Sequence, residues 1–172
     1  MKLQQFTFDK YYEVYTKHAQ NSEDIIQQLL TQHMDTIDLV TSLDDETLYT
    51  PYDEGKWSIM EILVHLMDTE RIFCYRALRI ARKDKSDLPG FDQDLFVKNS
   101  RANKRKILDV VKEFSVLRSS TIELFNSFDK EMLNETGSAD GKQISVGAIP
   151  YILCGHEIHH VNIIENKYIG KY

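Results

Sequence analysis

Two histidines near the carboxyl end of the chain are spaced so that a helix would place them side by side. His156 and His160 lie four positions apart, which puts their side chains one turn apart on the same helical face. At about 100° per residue, both fall in the middle of an apolar stripe. A buried imidazole without a partner costs about 1–3 kcal/mol. A divalent metal ion would satisfy both, so the pair predicts a metal site.

A third histidine, His65, lies halfway along another long apolar segment. Its predicted position is about 60° from the centre of that segment's stripe, at the edge of the core. Three imidazoles that converge inside a helical bundle leave coordination positions open, as catalytic sites do. We therefore predict that His65, His156 and His160 hold one divalent metal ion. This donor set favours zinc or nickel and also admits iron, manganese or copper.

The other histidines have less distinctive positions. His33 lies in the apolar stripe of an earlier segment, where it could be a fourth ligand, a residue behind the ligands or, most commonly, a hydrogen-bonded core histidine. His159 falls on the flank of the pair and is predicted to lie at the rim. His18 precedes the first long helix and is predicted to be exposed.

The segment from His156 to His160 also matches H-E-x-x-H, the motif of zinc metalloproteases, with Glu157 as general base. Such a protease needs a third ligand downstream. Twelve residues follow His160, and the only carboxylate or imidazole among them is Glu165. Ile163 stands where the extended motif requires glycine. A protease is therefore the least favoured function.

Composition limits the remaining classes of protein. The 172 residues suit one domain over 1–172, and 42% apolar with 28% charged residues is an ordinary globular balance. The net charge of −6 makes a nucleic-acid partner unexpected. No apolar run predicts a signal peptide or a membrane span, and two free cysteines suit a reducing cytoplasm.

Apolar residues recur at steps of three and four through four long segments, which predicts an all-α four-helix bundle. Ser58 followed by Glu61 predicts a capping box at the start of the second helix, and Ser22 or Asn21 is the expected cap of the first. No alternating strand pattern competes, and residues 134–142 are expected to form a polar loop. Long connections after the second and third helices permit either simple antiparallel neighbours or a crossover. The predicted helices cover residues 22–43, 58–82, 101–128 and 145–170.

Several motifs resemble those of the DinB family, in its order and spacing, from about Tyr11 to Tyr168. The resemblance implies up-down-down-up connectivity and a metal site at His65, His156 and His160. It also implies a homodimer, and either a metal-dependent hydrolase or, as in relatives that use bacillithiol or mycothiol, a thiol-dependent transferase. The matching motifs are Gly55-Lys56-Trp57-Ser58, Glu61, His65, Asp68, Glu70-Arg71, Tyr75-Arg76-Ala77-Leu78, Leu88-Pro89-Gly90-Phe91-Asp92 and Gly155-His156-Glu157-Ile158-His159-His160.

The first hypothesis for function is thus a metal-dependent hydrolase or thiol S-transferase that acts on a small molecule. The alternative is a non-catalytic, metal-binding or stress-associated bundle, so enzymatic activity stays open. No catalytic residue is singled out, although Glu61 and Asp68 lie one turn on either side of His65 and are candidate acids or bases. Arg71 and Arg76 could meet an anionic substrate, but surface ion pairs are the more common role of such residues.

Overall fold

Helices account for most of the chain in the computed structural model, which describes residues 1–170. Four of them are long and form the bundle: α2, α4, α6 and α8. Four are short, with one to two turns each. The α-helices are α1 (Glu13–Thr16), α2 (Ile25–Thr41), α3 (Asp45–Tyr49), α4 (Ile59–Ala81), α5 (Gln93–Ser100), α6 (Ile107–Asn126), α7 (Lys130–Asn134) and α8 (Ile149–Ile163).

The long helices do not pack in sequence order. The main contacts of α2 are with α6 and α8, and the main contacts of α4 are also with α6 and α8. Consecutive long helices α2 and α4 therefore face each other across the bundle, which requires long connections rather than tight hairpins. This arrangement agrees with up-down-down-up connectivity, and the prediction of an all-α four-helix bundle is confirmed.

The start of α4 follows its sequence closely. The Ser58 hydroxyl accepts a hydrogen bond from the Glu61 amide at 3.1 Å, and the Glu61 carboxylate accepts one from the Ser58 amide at 2.8 Å. This is the predicted capping box, which satisfies two amides that the first turn would leave free. The cap predicted for the first helix was wrong. Asp24 caps α2 instead, accepting from the amides of Ile26 and Gln27.

The third and fourth helices are shorter than the periodicity suggested. Arg101 has a left-handed backbone with φ of 57° and ends α5, so the helix predicted from residue 101 begins only at Ile107. The fourth helix begins at Ile149, where Pro150 occupies the first turn and loses no hydrogen bond. It continues beyond Ile163 as a π-helical segment, Ile164–Ile169.

A small three-stranded sheet covers one end of the bundle, which contradicts the expectation that strands are absent. Its strands are β1 (Asp87–Leu88), β2 (Thr136–Ala139) and β3 (Lys142–Ser145). β1 pairs parallel to β2, and β2 pairs antiparallel to β3. Asp140 and Gly141 connect β2 to β3 with φ of 55° and 70°. An Asp-Gly pair is typical of a two-residue hairpin turn, so this pair could have predicted the hairpin from the sequence.

The core is apolar at both ends and polar in the middle. One apolar cluster contains Leu29, Phe73 and Ile152, and a second contains Val40 and Leu63. Each long helix contributes buried polar side chains to the layer between these clusters. The buried residues of this polar layer are His33, Thr36, His65, Thr69, Glu70, Arg118, Thr121, His156, Glu157 and His160.

No helix in the described part of the chain is both long and apolar enough to cross a membrane.

The segment before α2 packs on α8 at a glycine. A Cβ atom at Gly155 would lie 2.0 Å from the backbone oxygen of Tyr15, and 2.6 Å from its carbonyl carbon. Backbone atoms cannot move aside as a flexible side chain would, so glycine is required for this close approach. The contact brings the Tyr15 ring to 5.1 Å from the ring of His156.

Gly155→Ala is therefore expected to destabilise the protein by about 1–3 kcal/mol, the usual cost of overpacking. Alanine would normally stabilise a helix by about 1 kcal/mol relative to glycine, so the sign of the change identifies the clash. Urea unfolding measures the effect. Asn162→Ala, at an exposed position of α8, is the control and should be close to neutral. A Gly155→Ala protein as stable as the wild type would contradict the role of this contact.

Candidate metal centre

The three predicted histidines meet in the polar layer, and their ligand atoms all lie within 4.8 Å of one another. The Nε2 atom of His156 is 3.1 Å from Nε2 of His65 and 3.2 Å from Nε2 of His160. The three side chains are buried, with exposed fractions of 3%, 5% and 9% for His65, His156 and His160. His65 is thus fully inside the core, although its periodicity placed it at the edge.

Aromatic rings hold the imidazoles in place. The Trp57 ring packs against His65 with centroids 4.8 Å apart and lies nearly parallel to His160 at 6.4 Å. Tyr168 donates a hydrogen bond to the Trp57 carbonyl, which ties the entrance of α4 to the segment after α8. Trp57 therefore packs as an anchor and also forms one wall of the site.

The spacing of the donor atoms fits one bound metal ion. Two nitrogens bound to zinc at 2.0–2.1 Å would be separated by about 3.3–3.4 Å, close to the two measured Nε2 distances. Burial lowers the pKa of His65 to about 4 and that of His160 to about 3, and it lowers the pKa of His156 well below its usual range. Neutral imidazole is the form that binds metal. The residues present therefore fit a divalent metal ion.

The remaining histidines lie outside this group. His33 is buried, its Nε2 atom is 3.1 Å from the Ser115 hydroxyl, and its ring packs edge-on against Phe114. Of the three roles predicted for His33, it therefore has the most common one, that of a hydrogen-bonded core histidine. His159 is half-buried between Tyr15 and His160, as expected of a rim residue. His18 is half-buried rather than exposed.

His33 gives a testable pH dependence. Burial, aided by the charge of Arg118, lowers its pKa to about 4, whereas an unfolded histidine titrates near 6.5. Between these values the unfolded chain binds a proton that the folded chain does not, so stability falls as pH falls through this window. The wild type loses free energy of unfolding between pH 7 and pH 4.5, and we expect His33→Gln to make that loss smaller by about 2–3 kcal/mol. Urea unfolding at both values measures this.

The control for this experiment is His18→Gln, at a partly exposed position. It should leave most of the pH dependence unchanged. If His33→Gln and the wild type lose equal stability between the two pH values, His33 is not the neutral buried group described here.

Beside the histidines lies a buried ionic triad that the sequence analysis missed. Arg118, which is 2% exposed, donates to both carboxylate oxygens of Glu70 at 3.0 and 2.8 Å. It also donates to Glu157 at 2.9 Å and to the Leu29 carbonyl at 2.7 Å. The sequence could have predicted the burial of Arg118, because Arg118 follows Phe114 by four residues on the apolar face of α6. A charged residue in an apolar stripe predicts a buried partner.

The predicted acid–base candidates have other roles. Glu61 is occupied by the capping box, and Asp68 lies beside Arg71 on the half-exposed side of α4. Glu157, the base of the protease hypothesis, is 1% exposed and bound to Arg118. One cavity lies beside His65 and His156, and another lies beside His160. None of the three carboxylates lines either cavity. This argues against the protease reading of H-E-x-x-H.

Two cavities reach the histidines. The first, which we name the tyrosine cleft, is lined by His65, His156 and residues of the amino-terminal segment, α4 and the β2–β3 hairpin. The second lies beside His160 and Trp57. Periodicity could not reveal the tyrosine cleft, because its walls come from separate parts of the chain. Its other lining residues include Tyr12, Tyr15, Thr69, Phe73, Arg76 and Lys142.

Comparison with known proteins identifies the family. The model of the DinB superfamily matches residues 28–164. The chain belongs to the DinB superfamily. This DinB protein is 29% identical over 125 residues to a protein of Oceanobacillus iheyensis named as a candidate metal-dependent hydrolase, a match that spans 71% of this chain and 70% of the relative.

The fold of this DinB protein is also similar to that of a solved structure. YfiT from Bacillus subtilis superimposes with a TM-score of 0.69, over 85% of this chain and 86% of YfiT, at 16% sequence identity. YfiT is described as a probable metal-dependent hydrolase with an unusual four-helix bundle topology. At this identity the likeness establishes the shared DinB fold.

Proposed function

We propose that this protein is a metal-dependent hydrolase of a small molecule, with His65, His156 and His160 as the ligands of one divalent metal ion. The observation that carries the proposal is the convergence of three buried Nε2 atoms at 3.1 and 3.2 Å beside a solvent-reachable cleft. Zinc or nickel suits three nitrogen donors best. A metal ion bound there supplies Lewis acidity and makes a water molecule acidic near neutral pH.

The protein's own residues would orient the substrate. Tyr12 and Tyr15 line the tyrosine cleft, and burial raises the pKa of both phenols. Their hydroxyl groups therefore stay protonated and can donate hydrogen bonds to a developing negative charge on the substrate. The Thr69 hydroxyl lacks a partner within the described chain and lines the same cleft.

The position of His33 supports catalysis over a purely structural metal site. A structural site is normally closed by four protein ligands, whereas a catalytic site keeps a position open. His33 was the candidate fourth ligand, and it bonds to Ser115 outside the group. Thiol-dependent transfer is the second possibility, because an open position could also hold a thiolate. The homodimer and the cytoplasmic location stay predictions.

The test uses protein stripped with a chelator and reloaded with zinc, nickel, manganese, iron or copper. We expect one of these forms to hydrolyse members of a panel of small esters, lactones and amides. Activity should be absent from the stripped protein and from His156→Ala, and present in His159→Ala. A parallel assay supplies a low-molecular-weight thiol with an electrophile. Turnover only in that assay would favour the transferase, and no metal-dependent turnover in either would overturn the proposal.

A further inference from the structure

Arg76 is a buried cation that has no ionic partner among residues 1–170, which the structure describes. Its side chain is 4% exposed, and among the described residues its hydrogen bond is to the Pro89 carbonyl at 2.9 Å. The Nε–H group is buried and unpaired. The guanidinium also lies over the Phe73 ring at 5.0 Å. Arginines are rarely buried unless a carboxylate or another anion pairs with them, so this position is incomplete as it stands.

The carboxylates nearest to Arg76 are engaged with other groups. Asp140 accepts a hydrogen bond from Lys142 at 2.7 Å. Asp87 accepts from the Ser138 hydroxyl at 2.5 Å and from the Gly141 amide at 3.2 Å. Both are close enough to influence Arg76 electrostatically, but neither forms an ion pair with it within the part of the chain that the structure describes. Arg76 is therefore available to a ligand.

Arg76 lies on the same face of α4 as the metal centre. It follows His65 by eleven residues, a step that returns to within about 20° of the same direction and advances about 16 Å along the axis. Thr69 lies between them on this face, and its buried hydroxyl also has no hydrogen-bond partner in the described part of the chain. All three residues line the tyrosine cleft. The cleft thus has an imidazole group at one end and an unpaired guanidinium at the other.

We propose that the tyrosine cleft is a binding site for an oxyanion, a carboxylate or a phosphate group, which Arg76 and Thr69 bind at a distance from the three histidines. Arginine matches the planar, multidentate geometry of such groups. If the protein is the metal-dependent hydrolase proposed above, its substrate is a small molecule whose negative charge lies far from the bond that is cleaved. Anion binding by Arg76 does not depend on that function. A neutral or cationic substrate would leave Arg76 unpaired.

The first test observes Arg76 directly and does not depend on catalysis. In ¹⁵N-labelled protein, the arginine Nε–H resonance that disappears in Arg76→Gln belongs to Arg76. Phosphate, glutarate and the neutral glutaramide are titrated into zinc-loaded protein and into chelator-stripped protein. We expect phosphate or glutarate to shift the Arg76 resonance saturably in both forms, and glutaramide to leave it in place. The relative response to phosphate and glutarate distinguishes the two anions.

Two variants control this experiment. Thr69→Val removes the unpaired hydroxyl with little change of shape, so it should fold normally and weaken anion binding by about tenfold, which corresponds to one hydrogen bond to a charged group. Arg71→Gln removes an exposed arginine of the same helix and should leave the affinity unchanged. An Arg76 resonance that does not respond, or that shifts only together with all the other arginines, would overturn the proposal.

The second test concerns the substrate and separates this inference from the proposed function. In the zinc-loaded enzyme, Arg76→Gln should raise KM at least tenfold for esters that carry a remote carboxylate or phosphate, and Arg76→Lys should restore part of the loss. KM for neutral esters should not change. Equal effects on anionic and neutral esters would refute a specificity role. Anion binding at Arg76 without any metal-dependent hydrolysis would refute the proposed function and leave the oxyanion site intact.

Discussion

Replacing Arg118 by methionine is expected to lower the free energy of unfolding by about 3–5 kcal/mol, a large part of the stability of a typical domain. Arg118 is the cation of the buried triad, and its guanidinium binds the carboxylates of Glu70 and Glu157. Without it, two negative charges would lie close together in the middle of the bundle, where water cannot solvate them. The free energy of unfolding would fall mainly because these two buried carboxylates would be unpaired, and less because the ion pairs themselves are lost.

Urea unfolding of two further proteins tests that explanation. Adding Glu70→Gln and Glu157→Gln to Arg118→Met removes both charges and should recover most of the lost stability. Arg71→Met removes an arginine that pairs with Glu113 at the surface, and should cost less than about 1 kcal/mol. If the triple variant is no more stable than Arg118→Met alone, buried charge is not the cause of the loss.

Replacing His156 by alanine is expected to abolish metal binding. His156 is the central histidine of the group, because its Nε2 atom is the one close to both other ligands. Wild-type protein should carry about one metal ion per chain, and His156→Ala less than roughly a tenth of that amount. Elemental analysis of the purified proteins measures this directly. His160→Ala should behave in the same way.

The same substitution should remove the stabilisation that metal provides. A ligand that binds only the folded protein, at a free concentration about a thousandfold above its Kd, adds about 4 kcal/mol to the free energy of unfolding. Chelation should therefore lower the melting temperature of the wild type and leave that of His156→Ala unchanged. The matched control is His159→Ala, on the same helix turn but outside the group. Equal metal content in wild type and His156→Ala would show that the metal assignment is wrong.

The physical origin of the site is the polar layer between two apolar ends of the bundle. A layer of buried polar groups is stable only if each group finds a partner. The triad satisfies its own charges through Arg118. The Nε2 atoms of His65 and His160 contact that of His156. Within the described residues five buried polar atoms have no partner: Nδ1 of His33 and of His160, Oε1 of Glu157, the Thr69 hydroxyl and Nε of Arg76. His160, Thr69 and Arg76 line a cavity, where a ligand can supply the missing partner, whereas His33 and Glu157 do not.

Patterns in the amino-acid sequence were sufficient to predict the parts of this protein that depend on short-range geometry. The step from His156 to His160 and the capping box at Ser58 both lie within one or two helical turns, where rise and rotation per residue are constant. Four amphipathic segments likewise required an all-α bundle. The family motifs supported the choice of His65 as the third ligand, which periodicity had placed at the edge of the core.

The contacts between side chains across the bundle became visible only in the folded protein. The partnership of Arg118 with Glu70 and Glu157, the unpaired state of Arg76 and the tyrosine cleft all join residues from distant parts of the chain. Such contacts depend on how helices rotate and cross, which single-helix periodicity does not specify. The sheet was missed for a related reason, because strands of two to four residues carry too little alternation to be recognised without their partners.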